Sequence, residues 1–547
     1  MKEEKILNIK ITIIAVICIV LLMIAIVPKG LQNDTFYTLK LGKLILDNGI
    51  DMKEHFTWHE GLPYTYPHWL YDIGMYLVYE IGGFNGVYIS SIVLGAILGI
   101  VMFLTNTRIT KNSVLSFLTV TLMLFIGQDF ITARAQLVTF ILFVLEIFCI
   151  EKFLENRKIG YAIILLVIPT IIANVHAAVF PFYFVLYLPY IGEYIVSLLV
   201  KSNLITKFLL KTDEIELKSL KKKKNINENI QKKIDVLTKR IEVNKDRLEE
   251  RKNKKIEPYK IIVEKNKNVI NLIGLMFVAA FTGLLTPIGD TPYTYLYHTM
   301  KGNTTNNISE HLPIILYNSK LVLAFIAISI SIGCFTKVKI KLSDLFLFCG
   351  LTFLTIMSRR QESLLLFIGI LPVNKMISQL IESYDPNGMK AILKAFTSII
   401  GKIIIYGLFV LFMIIQIKKT SNDEIVSPKS YPVEAVNYIK NNLDIKQIKL
   451  FNEYNFGSYL LYNDIPVFID SRADVYDPQF NKKEDDIFRD FINISDVCTD
   501  YEEKFEHYGI THLLIYKNST LGKVLKNNSN YEELYSDDKF IIYKKLS

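Results

Sequence analysis

Residues 11–27 read ITIIAVICIVLLMIAIV, an apolar stretch interrupted only by Thr12 and Cys18. A helix that crosses a bilayer needs roughly 20 mostly apolar residues, and the flanking residues extend this stretch toward that length. It is longer than the ~7–15 apolar residues of a signal peptide, and Val27-Pro28-Lys29 offers no small-residue cleavage site. The stretch therefore predicts a retained membrane anchor.

Comparable apolar stretches recur as far as Ile415, and the chain of 547 residues is 51% hydrophobic with a mean hydropathy of +0.31. They predict a polytopic α-helical membrane protein with about eleven transmembrane helices, at 8–28, 84–105, 113–128, 134–150, 159–176, 180–200, 269–287, 320–336, 342–357, 362–377 and 393–416. Two amphipathic stretches, 34–48 and 68–82, are expected to lie at the membrane interface. The aromatic residues of the first loop suit a belt at headgroup level, namely Trp58, Tyr64, Tyr66, Trp69 and Tyr71.

Charge predicts the orientation, because cytoplasmic loops carry an excess of Lys and Arg. The basic loops after the second, fourth and eighth predicted spans fall on one side, together with residues 201–268. The first loop and the tail fall on the other side. We therefore expect a multi-pass protein of the cell membrane with a cytoplasmic N-terminus and an extracytoplasmic C-terminal domain.

Four regions follow: an N-terminal transmembrane part (1–200) with a first outer loop (30–83), an insertion (201–268), a C-terminal transmembrane part (269–417) and a tail (418–547). The insertion holds 21 Lys+Arg against 11 Asp+Glu, an excess that accounts for the net charge of +9 without nucleic-acid binding. Its apolar positions have coiled-coil spacing, at Ile230, Ile234, Leu237, Ile241, Asn244 and Leu248. A solvated helical hairpin and a docking site for a cytoplasmic partner are both open, and Lys221–Lys224 would also suit anionic lipid headgroups.

The tail carries 17 Lys+Arg against 22 Asp+Glu. Its pattern predicts helices at 432–441 and 501–508 and strands at 448–451, 467–470, 511–516 and 539–543. Alternation of helix and strand favours a small α/β domain with a mainly parallel sheet.

Polar and ionisable residues are concentrated at the ends of the predicted spans. Their burial in a membrane would cost free energy, which suggests that they have a function. Under the orientation above, all of them fall on the outer side, and they predict a polar cavity that faces the tail. The set comprises Asp34, Gln128, Asp129, Arg134, Gln136, Asn174, His176, Glu310, His311, Arg359, Arg360, Gln361 and Glu362.

The chemistry open to such a cavity is limited. The sequence has no GxxxxGK[ST] loop, GxSxG elbow, HExxH helix or CxxC pair, and no cofactor is predicted. Carboxylates and histidines can accept a proton, and arginines can hold a phosphate and stabilise its charge as it leaves. At a membrane surface this combination indicates glycosyl transfer from a polyprenyl-phosphate sugar.

Four motifs resemble the membrane glycosyltransferases of the GT-C superfamily, especially bacterial relatives of protein O-mannosyltransferases. They are Asn33-Asp34-Thr35-Phe36-Tyr37 after the first span, then Ala133–Leu137, Ala173–Ala177 and Ser309–Pro313, and the resemblance covers roughly residues 8–417. It implies a GT-C-like fold with an acidic residue, Asp34, in the first outer loop. Related enzymes often carry a pair of acids there, whereas this chain has Asn33, so a divalent metal is not indicated.

A fainter similarity concerns the tail. The segment Phe451–Tyr459 resembles the Trp-Trp-Asp-Tyr-Gly segment of the oligosaccharyltransferase catalytic subunit, although both Trp positions differ. The resemblance implies a domain on the acceptor side of the site, and it makes five tail residues candidates for lining the cavity mouth: Glu453, Tyr454, Asp470, Arg472 and Asp474. Domain stability is the alternative explanation for these five residues.

The candidate roles are as follows. Asp34 is expected to be the general base, or else the N-cap of the helix that follows. Arg134, Arg359 and Arg360 are expected to bind the donor phosphate, or else to extend to the headgroups from the ends of the spans. The other predicted cavity residues are Asp129, Gln136, Asn174, His176, Glu310 and His311.

Three functions are open. The first is an inverting glycosyltransferase that uses a polyprenyl-phosphate sugar and a protein, polymer or lipid acceptor. The second is a transporter or flippase of lipid-linked glycans, which would favour internal repeats and charges near the midplane. The third is a non-catalytic envelope assembly protein. The sequence shows no internal repeat, and its charges collect at one face, which favours the enzyme.

Overall fold

The computed structural model describes residues 2–202, 204–222, 228–253, 260–385, 398–421 and 423–546. Up to the insertion the helices are α1 (Lys2–Ile26), α2 (Asn33–Asn48), α3 (Trp69–Thr110), α4 (Ser113–Ile126), α5 (Ala135–Asn156), α6 (Ile159–Val175), α7 (Phe180–Val185) and α8 (Leu188–Ser202). From the insertion onward they are α9 (Leu204–Lys221), α10 (Glu228–Asn253), α11 (Asn268–Ala280), α12 (Thr291–Lys301), α13 (Thr304–Asn307), α14 (Lys320–Phe335), α15 (Leu342–Met357), α16 (Glu362–Phe367), α17 (Ile370–Tyr384) and α18 (Ile399–Ser421).

Each predicted span coincides wholly or largely with a helix or a helix pair. By length and apolar composition, two helical segments of the described chain could cross a membrane, Trp69–Thr110 and Ala177–Leu199. The pair Arg359–Phe367 and Ile370–Tyr384, bent by 44°, adds a third if it forms one span. Six other apolar helices have only 10–17 residues, so eleven crossings and their orientation stay a prediction.

A break divides α3 where the sequence predicted a change from an interfacial to a spanning helix. Gly83 has a φ of 58° and a ψ of −153° inside this long helix. A side chain disfavours that conformation, which glycine adopts readily. The segment before Gly83 packs against α2, and the segment after it joins the apolar core with α1 and α4.

The insertion forms a two-helix hairpin, and a coiled coil is not supported. The predicted seam of α10 packs on α9 of the same chain: Ile234 and Leu237 form a small buried cluster with Leu220. Arg240 and Asp213 pair across the hairpin at 3.4 Å. Beyond the hairpin, a short parallel pair of strands, β1 (Ile261–Ile262) and β2 (Ile340–Lys341), joins the end of the insertion to the segment before α15.

The tail is an α/β domain whose sheet is mixed, which corrects the expectation of a mainly parallel sheet. Its strands are β3 (Leu450–Asn452), β4 (His512–Tyr516), β5 (Tyr531–Ser536) and β6 (Phe540–Lys545), in the order β3-β4-β6-β5, and only β3 and β4 pair in parallel. Its helices are α19 (Val433–Asn442), α20 (Tyr454–Tyr462), α21 (Pro478–Asn481), α22 (Ile487–Ser495), α23 (Tyr501–Tyr508) and α24 (Thr520–Leu525).

The helices predicted at 432–441 and 501–508 are confirmed, as are the strands predicted at 448–451, 511–516 and 539–543, with small shifts at their ends. The strand predicted at 467–470 is wrong. Apart from an isolated bridge between Val467 and Thr57, that segment is irregular, because it pairs with the first outer loop instead of the sheet. The strand β5 was not predicted, since Tyr531–Ser536 includes the exposed Glu532 and Glu533.

The first outer loop and the tail share one hydrophobic core. Tyr64 and Tyr66 are buried in it, and the Trp58 indole N–H donates to the Leu450 carbonyl at 3.0 Å. The expectation of an aromatic belt in this loop is therefore wrong for these three residues, which pack under the tail and do not face headgroups. The same packing fixes α2, which carries Asp34, against α20 of the tail.

Candidate functional site

The first turn of α2 presents Asp34 to a guanidinium. Asp34 Oδ2 lies 2.7 Å from Arg134 Nη2, and about a quarter of each side chain is exposed. Asp34 is not the N-cap: α2 begins at Asn33, and Gln32 occupies the cap position without a side-chain hydrogen bond. The preceding Asn33 donates from Nδ2 to the Tyr454 carbonyl at 2.9 Å, which ties this turn to the tail.

Arg134 joins two carboxylates. It precedes α5 in an extended conformation, and its Nη1 lies 3.3 Å from both carboxylate oxygens of Glu310. Charge-assisted contacts of this kind suit the planar, forked guanidinium. Arg134 therefore places Asp34 and Glu310, from distant parts of the chain, on either side of one cation.

Glu310 is held by a backbone connection to the segment that carries two further arginines. The amide N–H of Arg360 donates to the Glu310 carbonyl at 2.8 Å, and that of Arg359 donates to the Leu312 carbonyl at 2.9 Å. Burial raises the pKa of the Glu310 carboxyl, but the charges of Arg134 and Arg360 outweigh it and lower that pKa overall. Burial and Arg360 lower the pKa of His311 to about 4, so both side chains stay deprotonated at neutral pH.

A polar cavity of about 580 Å³ opens beside this cluster. Eight of the residues predicted for the polar cavity line it: Gln128, Asp129, Arg134, Gln136, Glu310, Arg359, Arg360 and Glu362. Asp34 adjoins it through its contact with Arg134. Residues that the sequence did not single out also line it, among them Lys320, Tyr317 and Gln32. Lys320 follows Asn318 and Ser319 at the start of α14, and no motif in this stretch predicts a place in the cavity.

The cations around the cavity differ in their partners. Two carboxylates neutralise Arg134, whereas Arg360 faces the neutral Gln136 amide, whose oxygen accepts from Arg360 Nε at 2.5 Å and Nη2 at 3.0 Å. Arg359 is exposed at the cavity. Lys320 is also exposed there, with its ammonium 4.9 Å from the centre of the Tyr317 ring. Arg359, Arg360 and Lys320 therefore carry the positive charge that an anion entering this cavity would meet.

Asn174 and His176 do not line the cavity. Asn174 donates from Nδ2 to the Leu285 carbonyl at 3.0 Å, which joins α6 to the segment after α11. His176 is buried, and its Nδ1 lies 2.9 Å from the Thr139 hydroxyl. Its ring lies 5.6 Å from that of His68. These contacts connect α5, α6, the segment after α11 and the first outer loop.

The tail candidates are mostly enclosed in the domain interface. Arg472 is buried between Glu54 of the first loop, at 2.6 Å, and Asp470, at 2.7 Å. The Tyr454 hydroxyl donates to the Ser471 carbonyl at 3.2 Å. Burial raises the pKa of Glu453 to about 7 and that of Asp474, which is hydrogen-bonded to Tyr295, to about 6. The contacts of Arg472 with Glu54 and of Asp474 with Tyr295 join the tail to the first loop and to α12, the other contacts lie within the tail, and none of the five residues lines the cavity.

The described residues contain no group of three or more His, Cys, Asp or Glu side chains placed to hold a metal ion. Asn33, which precedes Asp34, has its amide nitrogen bonded to the tail.

Comparisons with known proteins identify the fold. No protein-family model matches the sequence, and no curated protein matches it. Solved structures do match. The structure of the oligosaccharyltransferase AglB from Archaeoglobus fulgidus, in complex with an inhibitory peptide and a dolichol-phosphate, aligns with a TM-score of 0.55 at 10% identity, over 94% of this chain and 70% of that chain.

Two more structures of the Archaeoglobus fulgidus oligosaccharyltransferase agree. The apo form aligns with a TM-score of 0.55 at 11% identity, over 93% of this chain and 69% of that chain. The form tethered to an acceptor peptide with the NVT sequon aligns with a TM-score of 0.53 at 10% identity, over 98% of this chain and 74% of that chain. The chain therefore has the fold of this archaeal oligosaccharyltransferase, in agreement with the GT-C architecture that its motifs predicted.

Proposed function

We propose that the protein is a membrane glycosyltransferase that moves a sugar from a polyprenyl-phosphate donor to an extracytoplasmic acceptor with inversion. One observation carries the proposal: the Asp34–Arg134–Glu310 cluster adjoins a polar cavity lined by the two further arginines Arg359 and Arg360. The archaeal oligosaccharyltransferase AglB, whose structure matches this fold, was solved with an inhibitory peptide and a dolichol-phosphate, which supports this class of donor.

The proposed step assigns one task to each group. The acceptor oxygen forms a bond with the anomeric carbon while its proton passes to the Asp34 carboxylate. The bond between that carbon and the phosphate oxygen breaks, and the phosphate leaves with the electron pair. Arg359 and Arg360 stabilise the charge that develops on the phosphate.

Arg134 has a different task in this proposal from the phosphate binding that the sequence suggested. Asp34 and Glu310 occupy its guanidinium at 2.7 and 3.3 Å, so its charge is already balanced. We assign it the orientation of both carboxylates, because a bridged pair cannot rotate away from the acceptor. Arg359 and Arg360 act on Glu362 and Glu310 without a direct ion pair, so their guanidinium groups are better placed for the donor phosphate.

The test is a transfer assay with purified protein, radiolabelled polyprenyl-phosphate sugars and cell-envelope acceptors. Asp34→Asn removes the proton acceptor and should reduce transfer by 100-fold or more, within the roughly 10²–10⁴-fold range of general base catalysis. Asp47→Asn, at the exposed end of the same helix, is the matched control and should retain activity. Full activity of Asp34→Asn would refute the assignment of the base, and absence of transfer from every donor would refute the proposed function.

A further inference from the structure

The cytoplasmic hairpin formed by α9 and α10 has one outer face of unusual composition. The inner face of α9 packs on α10 through Asp213, Leu217 and Leu220. At 100° per residue, the opposite face of α9 holds seven side chains between positions 206 and 221: Lys207, Phe208, Lys211, Thr212, Ile215, Lys218 and Ser219. This α9 outer face contains three lysines and no carboxylate.

Two large apolar side chains lie in the middle of the α9 outer face. Phe208 is 67% exposed and Ile215 is 61% exposed, and their spacing of seven positions places both on one line along the helix. A hairpin that stood free in water would expose this apolar surface at a cost. Lysines beside exposed aromatic and aliphatic residues are typical of a helix that lies on a lipid surface.

The position of α9 supports a lipid surface as the occupant. The segment Ala177–Leu199 is long and apolar enough to cross a membrane, α8 within it ends at Ser202, and α9 begins at Leu204. Ala177 at the other end of this segment packs in the core shared with the tail. The base of α9 therefore lies at the membrane boundary on the side away from the tail.

The outer face of α10 provides a contrast within the same hairpin. Val236 is 61% exposed and Val243 is 44% exposed, but these are smaller side chains than Phe208 and Ile215. Asp246 lies close to this face, and Lys232 is paired with Glu228 at 3.5 Å. The α10 outer face thus has less apolar surface and less unbalanced positive charge.

We propose that the α9 outer face docks on an anionic lipid surface, with Phe208 and Ile215 among the headgroups and Lys207, Lys211 and Lys218 beside the lipid phosphates. Positive charges near an anionic leaflet attract it, and the apolar side chains add burial. The hairpin then lies along the membrane and anchors the middle of the chain on the face opposite the tail. This inference does not depend on the proposed transfer reaction.

The experiment uses the full chain in nanodiscs of phosphatidylcholine, alone or mixed with phosphatidylglycerol. Phe208 is replaced by the photoreactive residue p-benzoylphenylalanine, and lipid adducts are measured by mass spectrometry after illumination. The matched control carries the same residue at Val236. We expect the yield of lipid adduct at 208 to exceed that at 236 by about tenfold and to rise when phosphatidylglycerol is present.

Charge reversal completes the test. Lys211→Glu with Lys218→Glu should lower the adduct at 208 by about tenfold, whereas Lys232→Glu with Lys239→Glu on α10 should leave it unchanged. Equal yields of lipid adduct at 208 and 236, or a yield at 208 that does not change with phosphatidylglycerol content, would overturn the proposal. Crosslinks from 208 to a second copy of the chain would overturn it in favour of a protein interface.

Discussion

The Arg134 guanidinium lies 2.7 Å from Asp34 and 3.3 Å from Glu310, so one cation holds two carboxylates that come from the first outer loop and from the loop before α14. Without it, the two carboxylates would repel each other beside the cavity. The geometry of the site thus depends on a residue whose own charge is already balanced.

We expect Arg134→Gln to reduce sugar transfer by about 100-fold, because released carboxylates lose their alignment with the reacting atoms. Arg134→Lys should fall between this variant and the wild type, since an ammonium supplies the charge without the fork. The measurement is the transfer rate at saturating donor. An unchanged KM for the donor in both variants would support the orienting role, and a raised KM with an unchanged rate would contradict it.

Arg360→Ala should act on donor binding. Its guanidinium faces the neutral Gln136 amide and acts on Glu310 without a direct ion pair, so it can contact a phosphate, and a charge-assisted hydrogen bond contributes about 1.5–3 kcal/mol. We expect the KM for the polyprenyl-phosphate sugar to rise at least about tenfold. Arg489→Ala, at an exposed position of the tail, should leave it unchanged. Equal KM values for the two variants would exclude Arg360 from the phosphate site.

Arg472→Met should destabilise the attachment of the tail by about 3–5 kcal/mol, since removal of one partner leaves Glu54 and Asp470 as uncompensated buried charges. Pulse proteolysis in urea measures this free energy in the full chain. Arg489→Met is the surface control and should change it by less than about 0.5 kcal/mol. Similar values for both variants would show that the buried ion pair does not stabilise the interface.

Glu453 should make the stability of the tail depend on pH. Burial raises its pKa from 4.5 to about 7, so the folded tail holds this proton where the unfolded chain has lost it. The stability that protonation contributes is complete below about pH 4.5 and is lost as pH rises through 7. Glu453→Gln should match the wild type near pH 4 and exceed it above pH 7 by up to about 3 kcal/mol.

The same urea measurement, repeated across this pH range, checks the prediction. Glu484→Gln removes a carboxyl from an exposed position of the tail and serves as the control. A difference between Glu453→Gln and the wild type that stayed constant from pH 4 to pH 8 would contradict the titration of Glu453 in this window.

The helical part of the fold could be predicted because the length of an apolar stretch and the residues that end a helix are both visible in the local sequence. The break at Gly83 in α3 fell where an amphipathic stretch met an apolar one. The tail sheet could be predicted only in part. Residues 467–470 have strand composition but bond to Thr57 and Trp58 of the first loop, and no local pattern reveals a partner so far away in the chain.

For the site, the grouping could be predicted more readily than the pairings. Ionisable residues at the ends of apolar spans cost free energy and suggest a function. This reasoning predicted that Asp34, Arg134, Glu310 and Arg360 belong to one site. Whether a given arginine meets a carboxylate or an amide depends on packing, so the bridging position of Arg134 was not foreseen. The burial of Arg472 and its contact with Glu54 were hidden for the same reason.

The buried pair of Glu54 and Arg472 has a consequence for biosynthesis, because 418 positions separate its members. At about 5–20 residues per second, the ribosome completes that interval in roughly 20–80 s. During this time the tail residues that share a core with Tyr64 and Tyr66 have not yet been made. We expect a chain released before the tail is translated to keep these side chains exposed and to be prone to aggregation or proteolysis.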